Sequence, residues 1–192
     1  MGTVLNYLEK YGRYTFEEMP LTEVDSLALC QLSYLKFDGM VGESGEPVIL
    51  KSLKDHPDYE KLFADVRYEK VNRALLEEMM KGRRFGDMKL NYYVNVIEEK
   101  WETQFSAITC FPDEEIVYVA FRGTDETIVG WKEDFNMAFL SPVPGQEYSV
   151  RYLEEVASRF QGPFYVGGHS KGGNLAVYSA MNCAPEVQER IL

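Results

Sequence analysis

An α/β fold, with a mostly parallel sheet flanked by helices and an N-terminal helical region, is predicted by three features of the sequence. Through the first hundred residues, apolar side chains recur at steps of three and four between clear stop signals. From about Thr103 the period falls to two. From Glu115 onward, short apolar runs without in-and-out alternation are interleaved with helical stretches, the pattern of strands in a parallel sheet covered on both faces.

The elements follow in order. Thr3 is placed to cap a short helix closing at Gly12, and Thr15 with Glu18 has the spacing of a capping box. Thr22 with Asp25 opens a stronger helix, whose Val24, Leu27, Ala28, Leu32 and Leu35 form one apolar face over about four turns. A loop from Gly42 to Pro47 follows. Tyr59 to Val66 and Tyr68 to Lys81 again read as helix, stopped by Gly82 and Gly86. Gln104 to Phe111 and Glu115 to Phe121 are β-branched and aromatic, and the Pro112-Asp113-Glu114 turn between them signals a hairpin. Helices are expected over Gly130 to Phe139, over Gln146 to Phe160 and over Lys171 to Met181, with a very short strand, Phe164 to Val166, before the last. The N-terminal helices would pack on one face of the sheet or cap it.

The chain has 192 residues and a net charge of −11, with a pI near 4.7. No basic face is available for a phosphate backbone or an anionic bilayer, so nucleic acid is not an expected partner. The one basic knot, Lys81, Arg83 and Arg84, reads as a solvated loop. Cys30, Cys110 and Cys183 are odd in number, far apart and set in apolar sequence. That fits core packing in a reducing compartment and neither a disulfide framework nor a zinc site. The opening residues do not read as a secretory or lipidation signal, and no apolar run approaches the eighteen or so residues of a membrane span. A cytoplasmic protein without an integral membrane segment, metal or cofactor is expected.

The strongest chemical signal is Gly168-His169-Ser170-Lys171-Gly172, a G-x-S-x-G motif where a strand turns into a helix. A sharp turn of this kind forces Ser170 into a strained conformation that lifts its hydroxyl clear of the sheet. Side chains two residues to either side would collide, hence Gly168 and Gly172. The turn also puts the backbone N–H of Lys171 at a helix N-terminus, beside the serine hydroxyl, where it can donate to a developing oxyanion. A dinucleotide-binding turn would want G-x-G-x-x-G and a ribose-binding acid some twenty residues on.

The run Val119-Ala120-Phe121-Arg122-Gly123-Thr124, with Trp131 and Asp134 after it and then Gly168 to Gly173, resembles the lipase-like branch of the α/β-hydrolases, that of the class 3 lipases. The patterns F-R-G-T-D, G-W-K-E-D-F and G-G-H-S-K-G-G-N-L-A are more closely similar to a bacterial family of uncharacterised function within that branch. This closer similarity takes in Leu32-Ser33-Tyr34 and Gln104-Phe105-Ser106-Ala107. The resemblance implies that Ser170 is a nucleophile acting on a small-molecule or lipid ester. It implies that Lys171 gives one oxyanion arm through its backbone N–H, and Thr124 the other through its N–H and hydroxyl. Asp134 would hold that loop in shape, and Gly123 would let backbone approach closely.

Such a mechanism needs a histidine base and an acid to orient it, in the chain order serine, acid, histidine. After Ser170 come only the acids Glu186 and Glu189 and no histidine. His169 is read as a loop-bracing residue pointing away, and His56 lies upstream among helices. The expectation is therefore a partial α/β-hydrolase fold: 1–100 as a mainly helical region, and 101–192 as the first half of a hydrolase core, ending just after the elbow helix. The acid and histidine would lie beyond residue 192. Ile191-Leu192 would begin the next strand, and the bare sheet edge could pair two copies. The alternative is a non-catalytic binding module on the same fold.

Overall fold

A computed structural model describes residues 2–125 and 127–192. In chain order the elements are α1 (Val4–Tyr11), α2 (Glu23–Leu32), β1 (Val48–Ile49), α3 (Glu69–Lys81), β2 (Lys89–Glu98), β3 (Thr103–Phe111), β4 (Tyr118–Phe121), α4 (Ile128–Asn136), α5 (Pro144–Ala157), β5 (Tyr165–Gly168), α6 (Lys171–Asn182) and α7 (Pro185–Gln188). The caps read from sequence form as hydrogen bonds. Thr3 pairs reciprocally with Asn6, and Thr22 with Asp25. Thr15 and Glu18 make the same exchange around a single turn that goes no further. The apolar face running on to Leu35 outlasts its helix, because α2 stops at Leu32. The Tyr59–Val66 segment is a 3₁₀ turn over Tyr59–Phe63. Among the described residues no helix is long and apolar enough to cross a membrane.

The sheet corrects the sequence reading: it is mixed, not mostly parallel. Its order is β1-β2-β3-β4-β5, with β1 through β4 antiparallel to their neighbours and only β4 and β5 parallel. The hairpin signal at Pro112–Glu114 already required an antiparallel β3 and β4. The larger omission is β2, which brings the sheet across the division drawn at residue 100. Its register against β3 slips between Asn91 and Val94, and Tyr92 there takes φ 55°. A bulge adds a residue to one strand and breaks the period-two pattern by which strands are recognised. The bulge is put to use: Asn91 bonds the Tyr92 N–H and the Gly45 carbonyl, and the Tyr92 carbonyl accepts the Tyr152 hydroxyl at 2.7 Å.

β3 and β4 are central and buried, so alternate residues serve two cores. Ile108, Cys110, Tyr118 and Ala120 face α1, α2 and α3, whereas Phe105, Ala107, Val119 and Phe121 face α5 and α6. The N-terminal helices thus cover one face of the sheet. All three cysteines are free and buried. Beyond β5 the chain returns through α7 to a parallel bridge between Phe164 and Ile191.

Arg84 overturns the reading of the basic knot as solvated. Its side chain and that of Asp25 are both wholly buried. The guanidinium grips Asp25 bidentately at 2.7 and 2.5 Å and donates to the carbonyls of Met19 and Pro20 at 2.9 and 3.0 Å. Asp25 also accepts from the Thr22 N–H and the Tyr7 hydroxyl. Charge periodicity cannot distinguish such an arginine from a solvated one, because its partner lies 59 residues away. Arginine's planar fork of donors suits the bidentate arrangement, and lysine could not replace it. Arg84→Met, which leaves Asp25 buried and unpaired, is expected to lower unfolding free energy by about 3–5 kcal/mol in urea titrations. The double variant Asp25→Leu/Arg84→Met should recover most of that loss.

Candidate functional site

β4 and β5 run parallel with Phe121 opposite Gly168, so both strands end at the same edge and the loops leaving them face each other. On one side β5 passes into α6 through Ser170, at φ 58° and ψ −126°. This region suits glycine, and a serine there is strained by about 1–3 kcal/mol. The surrounding backbone enforces it. A Cβ on Gly168 would overlap the backbone of Gly172, and one on Gly172 would overlap the Phe121 carbonyl. The strain, the exposed Ser170 hydroxyl and the glycines either side are those expected from the motif.

On the other side, Arg122 to Asp125 form the facing loop. Gly123 lies under the Tyr34 hydroxyl and the His169 carbonyl with no room for a side chain. The Thr124 hydroxyl donates to Asp134 Oδ2, bringing together the two residues that the resemblance paired. Asp125 accepts from the Thr127 N–H at 2.9 Å and caps the approach to α4. Arg122 is buried, donating to Asn95 Oδ1 at 2.7 Å and lying 3.6 Å from Asp125. Between the loops is a cleft of about 640 Å³, lined by Ser170, His169, Thr124 and Asp134, by the aromatic rings of Tyr34, Tyr68 and Trp131, and by Arg67. Neither the Lys171 N–H nor the Thr124 N–H has a hydrogen-bond partner among the described residues. Because the Thr124 hydroxyl proton is directed at Asp134, the N–H is the group this residue has free to donate.

Tyr34 was missed as a site residue, although the Leu32-Ser33-Tyr34 run was a visible signal. Its hydroxyl lies 3.0 Å from His169 Nδ1 and 3.4 Å from the His169 carbonyl oxygen. Burial pushes the hydroxyl pKa up to about 12, so it holds its proton at neutral pH. His169 does brace the turn, but it lines the cleft and does not point away from it. His56 takes no part in the cleft; its Nδ1 accepts from the Asp58 N–H.

The side chain of Lys171 was not anticipated at all. It turns inward from the elbow, and both it and Glu133 are 1% exposed. Its ammonium donates to Glu133 Oε2 at 2.7 Å, to the Gln104 carbonyl at 2.5 Å and to Gln104 Oε1 at 2.9 Å. Three N–H bonds meet three acceptors, so no position remains to receive a proton from Ser170. Desolvation holds the Lys171 pKa below the usual lysine value, opposed by the neighbouring Glu133 carboxylate. A serine–lysine dyad is excluded by this geometry.

Helices packed on a mixed five-stranded sheet place the chain in the α/β class, with a strained serine between strand and helix facing a glycine-threonine loop across an aromatic cleft. Residues 79–192 match the Mbeg1-like family, a lipase-like family, and the chain belongs to it. The match begins late in α3 and takes in β2 to β5 and both loops of the cleft. No curated protein and no solved structure matches the chain.

Relief of the backbone strain gives a check that does not depend on activity. Ser170→Gly is expected to be more stable than Ser170→Ala by about 1 kcal/mol, since only glycine occupies that conformation freely. Chemical denaturation of the two variants measures the difference.

Proposed function

We propose that this chain is the nucleophile-bearing part of a serine hydrolase of the lipase or esterase type, built on an α/β-hydrolase fold of the class 3 lipase branch. The observation that carries the reading is Ser170, strained and exposed at the head of α6 on a cleft that Thr124 also lines, with the N–H groups of Lys171 and Thr124 without hydrogen-bond partners among the described residues. In this reading the Ser170 oxygen attacks the carbonyl of a carboxylic ester. The two N–H groups take the negative charge of the tetrahedral oxygen, the alcohol leaves, and water releases the acid from the acyl-serine. Asp134 holds Thr124 in place. The aromatic lining suits a small-molecule or lipid acyl chain.

The proton of Ser170 goes to a histidine oriented by an acid, and both are proposed to lie beyond residue 192. The bridge between Ile191 and Phe164 supports this placement, because it carries the chain to the outer side of β5, where a following strand would run. The free, buried cysteines support a reducing, cytoplasmic setting.

The test uses the natural full-length protein. A fluorophosphonate is expected to label Ser170, Ser170→Ala to abolish labelling, and the protein to hydrolyse p-nitrophenyl esters. A folded full-length protein that is neither labelled nor active would favour the binding-module reading. Thr124→Ala and Asp134→Asn keep both N–H donors but release the loop that aims the Thr124 N–H, and each should lower kcat by up to about 10²-fold, the cost of a small misplacement. Acting through one hydrogen bond, they should cost little more together than singly.

A further inference from the structure

We infer that Glu133 and Asp134, consecutive residues of α4, form a positioning pair that fixes the two cleft loops relative to each other: Asp134 holds the Thr124 loop, and Glu133 holds the elbow through the buried ammonium of Lys171. The inference rests on the proposed function for its catalytic consequence, whereas the mechanical coupling stands on geometry alone. Successive residues of a helix point about 100° apart. Asp134 therefore reaches the cleft and the Thr124 hydroxyl, while Glu133 turns into the interior.

Both carboxylate oxygens of Glu133 are used. Oε1 accepts the Gly145 N–H at 2.8 Å, and Oε2 accepts the Gln104 N–H at 3.0 Å as well as the Lys171 ammonium at 2.7 Å. The space is made to fit. A Cβ on Gly145 would come within 2.8 Å of that carboxylate, and one on Gly130 within 2.9 Å of Asp125 and 3.2 Å of Thr124. One rigid turn of α4 thus touches both the residue carrying the elbow N–H and the residue carrying the facing N–H, so their separation is set by a helix and not by two independent loops.

Stability alone gives no reason for this pair. An apolar side chain at 171 would fill the space without taking a charge out of water, and buried ion pairs are often matched or exceeded in stability by hydrophobic replacements. Directionality is what such a replacement lacks. Three hydrogen bonds to fixed acceptors hold the first turn of α6 in one orientation, which packing of an apolar chain does not.

The test compares Glu133→Asp and the double variant Glu133→Gln/Lys171→Met with wild type in the full-length protein. The first keeps the charge and shortens the reach; the second removes the pair without leaving a lone buried charge. Two quantities are read: amide hydrogen exchange of residues 122–125 and 169–172, and the rate of fluorophosphonate labelling at Ser170. Both variants are expected to speed exchange in both loops, including the Arg122 N–H, which is bonded to the Ser106 carbonyl and whose loop has no hydrogen bond to Glu133 among the described residues, while α1 and α2 keep wild-type protection. Labelling should slow roughly 10–100-fold, as for a small misplacement of reacting groups, with the saturation constant unchanged. Faster exchange confined to 169–172, or wild-type labelling in a variant that exchanges as wild type, overturns the inference. If wild type itself is not labelled, the hydrolase reading fails, and the exchange data alone decide whether the two loops are coupled.

Discussion

The contact on which the site depends is the backbone of α6 lying against the end of β4. Gly172 meets the Phe121 carbonyl and Gly168 meets Gly172, with no volume for a side chain at either position. That approach sets the conformation of Ser170. It also brings the first N–H groups of α6 level with the loop leaving β4. The parallel pairing of β4 and β5 is the other half of the same constraint: had they been antiparallel, the two loops would have left from opposite edges of the sheet. A single parallel pair in an otherwise antiparallel sheet is enough to build the cleft.

Among the described residues of a protein of net charge −11, two buried ion pairs stand out, and they act differently. Arg84 and Asp25 tie the segment between α1 and α2 to the turn after α3, with nearly every donor and acceptor used by backbone nearby. Lys171 and Glu133 tie α6 to α4 and β3. The first closes a layer that packs on the sheet, the second sits directly behind the serine. Arginine serves where a planar fork meets a carboxylate edge-on, and lysine where three acceptors converge on a point. Neither pair was visible in sequence, because an ionic partner dozens of residues away leaves no periodic trace.

Much else was legible. The capping residues Thr3 and Thr22, the hairpin at Pro112–Glu114, the helices α4, α5 and α6 and the turn at Ser170 each follow from local chemistry: side-chain oxygens facing free N–H groups, turn residues, and glycines where backbones meet. The pairing of Thr124 with Asp134 came from the family resemblance and not from spacing, and the hydrogen bond forms from near the end of α4. What failed was pairing direction and anything that required the third dimension. β2 was passed over because its bulge at Tyr92 interrupts the alternation, and with it went the antiparallel character of the sheet. Tyr34 went unassigned because its role depends on where the end of α2 lands, over Gly123 and beside His169, a contact spanning most of the chain.

The sheet's connectivity also has a kinetic side. β2, β3 and β4 are joined by short turns, so their pairing closes only small loops and loses little chain entropy. Pairing β5 with β4 must first enclose the whole stretch from Arg122 to Phe164, including α4 and α5. Contacts of that range are made slowly and after local ones. The two loops of the cleft are therefore brought together by a pairing with a high loop-closure cost. A substitution that weakens the docking of α6 acts on that pairing and on the second core at once, because Leu175 and Ala176 pack with Phe105 and Phe121.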